Sequence, residues 1–135
     1  MSTKWIGLVL SLVVGGAAVA AEPPPKVTPA LLEKGKTVYV TYCQTCHGMK
    51  GEGDGPMGTY LNPKPRNFLT ETFKQGNKPE QIFQTLGKGV PGSAMVAFVN
   101  LPEEDRWALA HYVGELRKQG QPADAKGAKK AAPKK

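Results

Sequence analysis

The sequence has few cysteines, few histidines and few aromatic residues, and each shortage excludes a class of protein. Two cysteines and two histidines in 135 residues leave no spare ligand for a structural zinc site, which needs four. Aromatic residues make up 7% of the chain and are not interleaved with basic ones, as nucleic-acid-binding surfaces often require. No segment alternates apolar and polar residues in the manner of a strand, and no repeat is present. The pattern therefore predicts an all-α fold.

The two ends of the chain differ in composition from the middle and are not expected to belong to the folded body. Residues 1–21 carry Lys4, an apolar run and then small residues, the pattern of a secretory signal peptide; an uncleaved N-terminal anchor is the alternative. Residues 22–28 contain three consecutive prolines and predict an extended leader. Residues 119–135 consist mainly of Ala, Lys, Pro and Gly, which predicts a disordered basic tail. The folded domain is expected at 29–118.

Two helices are expected in the first part of this domain. Thr28 suits the N-cap of a helix over 29–42, which has proline at its first position and apolar residues at helical spacing. Gly35 lies inside that helix at a cost of about 1 kcal/mol relative to alanine, which suggests that something packs close to its backbone. Residues 79–86 predict a second, short helix with one apolar face.

The last helix is the most clearly marked. Pro102 lies near its start, three acidic residues fill its first turn, Arg117 and Lys118 lie in its last turn, and Gly120 is expected to end it. The segment from 48 to 68 is by contrast rich in glycine and proline. A loop of that length in a compact domain is usually functional or wrapped around something.

The heptapeptide "YCQTCHG" contains both cysteines and one of the two histidines. A thiol–disulfide pair is one interpretation of Cys43 and Cys46, but it calls for a thioredoxin-like scaffold with strands. Zinc would need His111 as well, and a plain disulfide would leave His47 unexplained. C-x-x-C-H is also the attachment motif of c-type haem, in which the thiols link to the vinyl groups and the histidine is directed at the iron. We favour covalent haem.

A haem iron has a sixth coordination position, for which the chain offers Met49, Met57, Met95 and His111. Met49 is too near His47 in sequence to reach the opposite face, and Met57 lies in the loop on the histidine side. Met95 lies in a second loop rich in glycine and proline, and we expect it to be the ligand. A protein ligand at this position favours electron transfer, and a thioether raises the reduction potential.

These features resemble the small monohaem class I cytochromes c over residues 29–118. The motifs are "CQTCHG", "GEGDGP" directly after it, the loop "GVPGSAMVAF" and the last helix with Tyr112. The resemblance implies three to four helices with long loops wrapped around one covalently bound haem. It also implies that Gly35 and Tyr39 cross the last helix, with Leu109 and Tyr112 as their partners.

The resemblance implies further site residues. The Gly-Pro pair ending at Pro56 matches in kind the family's Gly-Pro, whose proline carbonyl accepts the ring N–H of the axial histidine, here His47. Arg66 lies where it could neutralise a haem propionate, or it is a solvated surface residue. The family's methionine is often followed by proline, whereas Val96 follows Met95 here.

The sequence thus predicts a one-electron carrier of an exported electron-transfer chain rather than an enzyme. The expected location is the periplasm, or the membrane if the N-terminal segment is retained. The expected partners are redox proteins with anionic docking surfaces, met by lysines such as Lys50, Lys64 and Lys88 and by the basic tail, which could also touch a membrane; no nucleic acid is expected. The alternatives are a haem peroxidase or gas-binding haem protein, and a haem subunit of a larger oxidoreductase.

Overall fold

The computed structural model describes residues 23–120, which form four α-helices and one short 3-10 helix. In chain order these are α1 (Pro29–Tyr42), α2 (Gln44–His47), the 3-10 helix (Gly58–Tyr60), α3 (Pro79–Lys88) and α4 (Glu103–Gly120). No residue in 23–120 is in a strand, and the predicted all-α class is confirmed. Within the same range, no helix has the length and apolarity needed to cross a membrane.

Helix α1 begins and ends where the sequence predicts. The side-chain oxygen of Thr28 accepts a hydrogen bond from the backbone N–H of Leu31 at 3.1 Å, and proline occupies the first helical position. This satisfies one of the N–H groups that a helix start leaves without a partner. At the other end, the N–H of Cys43 donates to the Tyr39 carbonyl at 2.8 Å, so the last α1 bond is made by the first cysteine of the motif.

The crossing of α1 and α4 is tight because Gly35 has no side chain. A Cβ atom at that position would lie 2.2 Å from the carbonyl oxygen of Ala108 and 2.8 Å from the Cβ of Tyr112. The rings of Tyr39 and Tyr112 pack with centroids 5.4 Å apart. Leu109, expected to share the crossing, is fully buried, but the backbone nearest to Gly35 is that of Ala108.

Helix α3 packs on α4 and closes the core from the other side. It runs to Lys88, a little past the predicted end at 86. The rings of Phe83 and Trp107 stack at 4.1 Å with an interplanar angle of 10°. The buried core lies between α1, α3 and α4 and comprises Val38, Tyr39, Cys43, Ile82, Leu86, Leu109, Ala110, Val113 and Leu116.

Helix α4 extends to Gly120, two residues past the expected domain end at 118. Gly120, which was expected to follow the helix, is its last residue. Gly120 serves close packing instead, because a Cβ there would lie within 2.3 Å of the Cβ of Leu69. The predicted signal peptide at 1–21 and the tail beyond 120 lie outside the described residues.

Candidate cofactor site

The two cysteines and His47 lie on one compact helical segment. Cys43 ends α1 and is buried, and α2 is a single turn that carries Cys46 and His47. Gly48 then turns the chain away with a φ of 80°, a conformation that glycine adopts without steric cost. The hydroxyl of Tyr39 donates to the Gly48 carbonyl at 2.6 Å. The end of the motif is therefore anchored to the core of α1.

These residues form one wall of a large cavity of about 680 Å³. Cys43, Cys46 and His47 all line it, and Met95 lines it from the loop between α3 and α4. The volume lies within the range of cofactor and ligand sites, about 300–1,000 Å³, which are mostly apolar with a few polar groups that fix orientation. The apolar lining from the helices comprises Tyr39, Ile82, Leu86, Leu109 and Val113.

The loop that carries Met95 is held by its own hydrogen bonds. The backbone N–H of Met95 donates to the Ser93 hydroxyl at 3.1 Å, and the Met95 carbonyl accepts from the N–H of Val90 at 2.9 Å. Gly89 packs beneath this turn, since a Cβ there would lie 2.8 Å from the Met95 carbonyl oxygen. Met95 is half-buried and packs against the core. The other two methionines considered from the sequence, Met49 and Met57, are exposed and do not line the cavity.

The imidazole of His47 has two neighbours in the loop that follows the motif. Its Nδ1 lies 3.3 Å from the carbonyl oxygen of Arg66. Because a carbonyl can only accept, this contact places the proton on Nδ1 and leaves the Nε2 lone pair available to a metal. The ring of Phe68 stacks on the imidazole with centroids 4.5 Å apart and 21° between the planes. Burial lowers the pKa of His47, and the bond to Arg66 acts against that shift.

The carbonyl near Nδ1 therefore belongs to Arg66, whereas the resemblance to class I cytochromes c implied that of Pro56. The Pro56 carbonyl accepts a hydrogen bond from the Thr59 hydroxyl at 3.2 Å, and Pro56 is exposed. The reason is the packing of its neighbours. The N–H of Met57 donates to the Thr45 carbonyl at 3.0 Å, so this segment lies along the backbone of α2 and not beside the imidazole.

The side chain of Arg66 lines the cavity but has partners in the protein. Its Nη1 donates to the carbonyl of Thr72 and lies 3.4 Å from a carboxylate oxygen of Glu71. The guanidinium is therefore already bound to protein partners and is not a freely solvated surface group. Its expected role as a propionate partner stays a prediction.

The geometry does not favour thiol redox or zinc chemistry. Burial, followed by the neighbouring Cys46, raises the pKa of Cys43 to about 12, whereas reactive cysteines have a lowered pKa. Both thiols are free. Among residues 23–120, no three His, Cys, Asp or Glu side chains are placed to hold a metal ion. His111 is buried beside Trp107 and does not line the cavity.

A haem fits the residues that are present. Two thiols and an imidazole line the cavity from the end of α1 and from α2, a methionine lines it from the loop between α3 and α4, and most of the remaining lining is apolar. Of the three lysines expected near the site, Lys64 lines the cavity, and Lys74, which the sequence reasoning did not single out, lines it too. Phe68 also lines the cavity and was not among the predicted site residues. The available signal was its place two residues after Arg66, in the segment "PKPRNF".

Comparison with known proteins places residues 30–113 in one family model, described as cytochrome c oxidase, cbb3-type, subunit III. The chain is 31% identical over 87 residues to the cbb3-type cytochrome c oxidase subunit CcoP of Azospirillum brasilense, covering 64% of this chain and 29% of that protein. It is 32% identical over 87 residues to cytochrome c-554(547) of Halothiobacillus neapolitanus, covering 62% of this chain and 93% of that one.

A solved structure is also similar. It is a chain of the Kuenenia stuttgartiensis reducing HAO-like protein complex, with a TM-score of 0.66 and 34% identity. The match covers 73% of this chain and 49% of that chain, so this chain spans about half of the solved structure and less than a third of the oxidase subunit. The matches confirm the resemblance to small monohaem class I cytochromes c and support haem-based electron transfer.

Proposed function

This chain belongs to the family described as cytochrome c oxidase, cbb3-type, subunit III, and on that premise we propose that it carries single electrons on one covalently attached c-type haem. The observation that carries the proposal is the cavity that Cys43, Cys46 and His47 share with Met95. When bound, the haem would supply the redox chemistry, in which its iron gains or loses one electron. The protein's part is to attach the cofactor, orient it and keep water away.

The thiols of Cys43 and Cys46 would make the covalent attachment. Each thiol would hold the haem through one thioether bond to a vinyl group, with the S–H hydrogen retained on the cofactor. The two sulfur atoms lie on consecutive turns at the end of α1 and in α2, on the wall that faces the cavity. Attachment at two points of this rigid segment fixes the cofactor relative to the helices.

His47 and Met95 would hold the iron. The Arg66 carbonyl holds the Nδ1 side of His47, which leaves Nε2 to coordinate. Met95 would offer its thioether from the hydrogen-bonded loop after α3. With both positions filled by protein groups, no substrate needs to reach the metal. We therefore propose a carrier and not an enzyme.

The proposed partners are redox proteins with anionic docking surfaces. Lys64 and Lys74 are exposed and line the cavity, and residues 121–135 contain five lysines against one aspartate. Such charges attract acidic partners and raise encounter rates in a salt-dependent manner. The apolar run at the N-terminus supports export, and we propose the periplasm as the site of action.

A second candidate function is that of a haem subunit in a larger oxidoreductase. It is favoured by two of the similar proteins, one named as an oxidase subunit and the other part of a protein complex. Size-exclusion chromatography of the native protein from its source, followed by haem absorbance, separates the two cases. A free carrier elutes near the mass of one chain, and a subunit elutes with a second redox protein in fixed ratio.

The proposed function is tested by expressing the chain in a host that attaches c-type haem and recording its oxidised and reduced visible spectra. Haem that remains with the polypeptide after denaturation and solvent extraction would support covalent attachment, and Cys46→Ala should weaken that retention. Loss of all haem on extraction from the wild type would contradict the proposal.

The axial ligand is tested by Met95→Ala. This variant should keep its covalent haem, lose the low-spin spectrum and have a lower reduction potential. Met49→Ala is the matched control, because Met49 is 81% exposed and does not line the cavity; its spectrum should equal that of the wild type. A high-spin wild type would instead favour ligand binding or peroxide chemistry, and an unchanged Met95→Ala would mean that another group is the ligand.

A further inference from the structure

We propose that Phe68 is a positioning residue that sets the rotational orientation of the His47 imidazole; this inference rests on the proposed function, in which His47 binds the iron. The ring of Phe68 lies against the imidazole with centroids 4.5 Å apart and planes within 21°. A ring stacked in this way blocks rotation of the imidazole about its bond to the rest of the side chain. The orientation of the imidazole plane in turn decides which metal orbital it overlaps.

The hydrogen bond to Nδ1 is too weak to fix this orientation alone. Its length of 3.3 Å lies beyond the usual 2.7–3.2 Å range of N–H···O bonds. A long bond to a single acceptor tolerates rotation of the donor ring. The broad face of Phe68 restricts movement in the direction that the hydrogen bond leaves free, so the two contacts together define one orientation.

Phe68 is itself held from several sides, so it can act as a fixed wall. Its N–H donates to the Gly51 carbonyl at 2.7 Å, and its ring leaves no room for a Cβ at Gly51, which would lie 2.9 Å away. Its ring also packs edge-on to Tyr39 at 6.5 Å and against Phe73 at 5.5 Å. The position of the wall is therefore set by the core and not by His47.

Arg117 ties this segment to the last helix. Its guanidinium donates to the Glu71 carbonyl at 2.7 Å and lies 3.4 Å from the Phe68 carbonyl. It also lies over the ring of Phe73, 4.8 Å from the centroid. A series of contacts thus runs from Arg117 near the end of α4, through Phe68, to the imidazole of His47.

The experiment compares Phe68→Leu with Phe68→Tyr and Phe83→Leu, all as holoproteins with covalent haem. Phe68→Tyr keeps a ring against His47, and Phe83→Leu removes a ring that packs on the core without lining the cavity. The readout is the proton NMR spectrum of the ferric protein. The spread and order of the haem methyl shifts follow the orientation of the axial imidazole, because that orientation directs the unpaired spin density.

We expect Phe68→Leu to change the spread or order of these shifts, while Phe68→Tyr and Phe83→Leu keep the wild-type pattern. A wild-type pattern in Phe68→Leu, or the same change in Phe83→Leu, would overturn the proposal even if stability fell. Nuclear Overhauser contacts between the two rings in the ferrous wild type test it without any variant, and their absence would also overturn it. Absence of covalent haem would instead refute the proposed function, which the extraction experiment detects separately.

Discussion

Adding one methyl group at Gly35 should destabilise the protein, although the same change favours a helix elsewhere. Gly35 lies in the interior of α1, where alanine is preferred to glycine by about 1 kcal/mol. At this position, however, the new Cβ would lie 2.2 Å from the carbonyl oxygen of Ala108 and 2.8 Å from the Cβ of Tyr112. Both distances are well inside the roughly 3.5–4.0 Å at which such atoms attract.

The penalty should exceed the helical gain because the obstacle is backbone. The Ala108 carbonyl is part of α4 and cannot rotate away, so α1 and α4 must separate along their crossing. Overpacking of a well-packed core costs about 1–3 kcal/mol, and the depth of this overlap favours the upper part of that range. After the gain in helix propensity, we expect a net loss of about 1–2 kcal/mol, which for a domain of this size lowers the Tm by roughly 4–16 °C.

The assay is thermal and guanidinium unfolding of the holoprotein, followed by far-ultraviolet circular dichroism and haem absorbance. Gly114→Ala is the matched control, because Gly114 is also a helix-interior glycine, but beyond its chain neighbours and the adjacent backbone of its own helix no atom lies within 4 Å of the added Cβ. It should be stabilised by up to about 1 kcal/mol. If Gly35→Ala is as stable as Gly114→Ala, the close approach of the two helices is not what the glycine serves.

Three other substitutions test the buried hydroxyl of Tyr39, the core position of Leu109 and the surface ion pairs of Lys34. Tyr39→Phe removes the buried hydroxyl that donates to Gly48 and should cost about 1–3 kcal/mol in urea unfolding, whereas Tyr60→Phe, 84% exposed, should change nothing measurable. Leu109→Ala removes most of a fully buried side chain and should lower the free energy of unfolding by about 2–5 kcal/mol, measured in guanidinium. A loss below the lower end of that range would contradict its place in the core. Lys34→Ala removes ion pairs of 2.9 and 3.0 Å to α4 carboxylates, and its small effect on the Tm should vanish at high salt.

The parts of the fold that follow local rules could be predicted from the sequence. Thr28 and the proline after it define the start of α1, and the structure makes the expected cap. Gly35 is out of place by helix propensity, and that conflict correctly predicted close packing against another element. The motif at Cys43, Cys46 and His47 indicated the candidate site because its residues are near one another in the chain, and the structure places all three in the lining of one cavity.

The loop contacts of the site could not be predicted in the same way. Pro56 and Arg66 both follow His47 within a segment rich in glycine and proline, and the sequence does not state which carbonyl turns towards the imidazole. The choice depends on backbone bonds such as that from Phe68 N–H to the Gly51 carbonyl, which closes the loop and brings Arg66 alongside His47. Such bonds depend on the backbone conformation of the whole loop, which no single residue type determines.

The helices and the loops contribute different groups of residues to the candidate site. This difference explains why the helix residues could be predicted from the sequence and the loop contacts could not. The helices carry Cys43 and Cys46, the proposed attachment points, together with the apolar lining, and the tight crossing of α1 and α4 fixes their positions. The loops supply Met95 and the neighbours of His47, which need freedom to reach the cavity. A loop ligand is held only by local bonds such as those of Ser93 and Val90. The proposed coordination by Met95 should therefore respond to mutation more readily than the proposed attachment at Cys43 and Cys46.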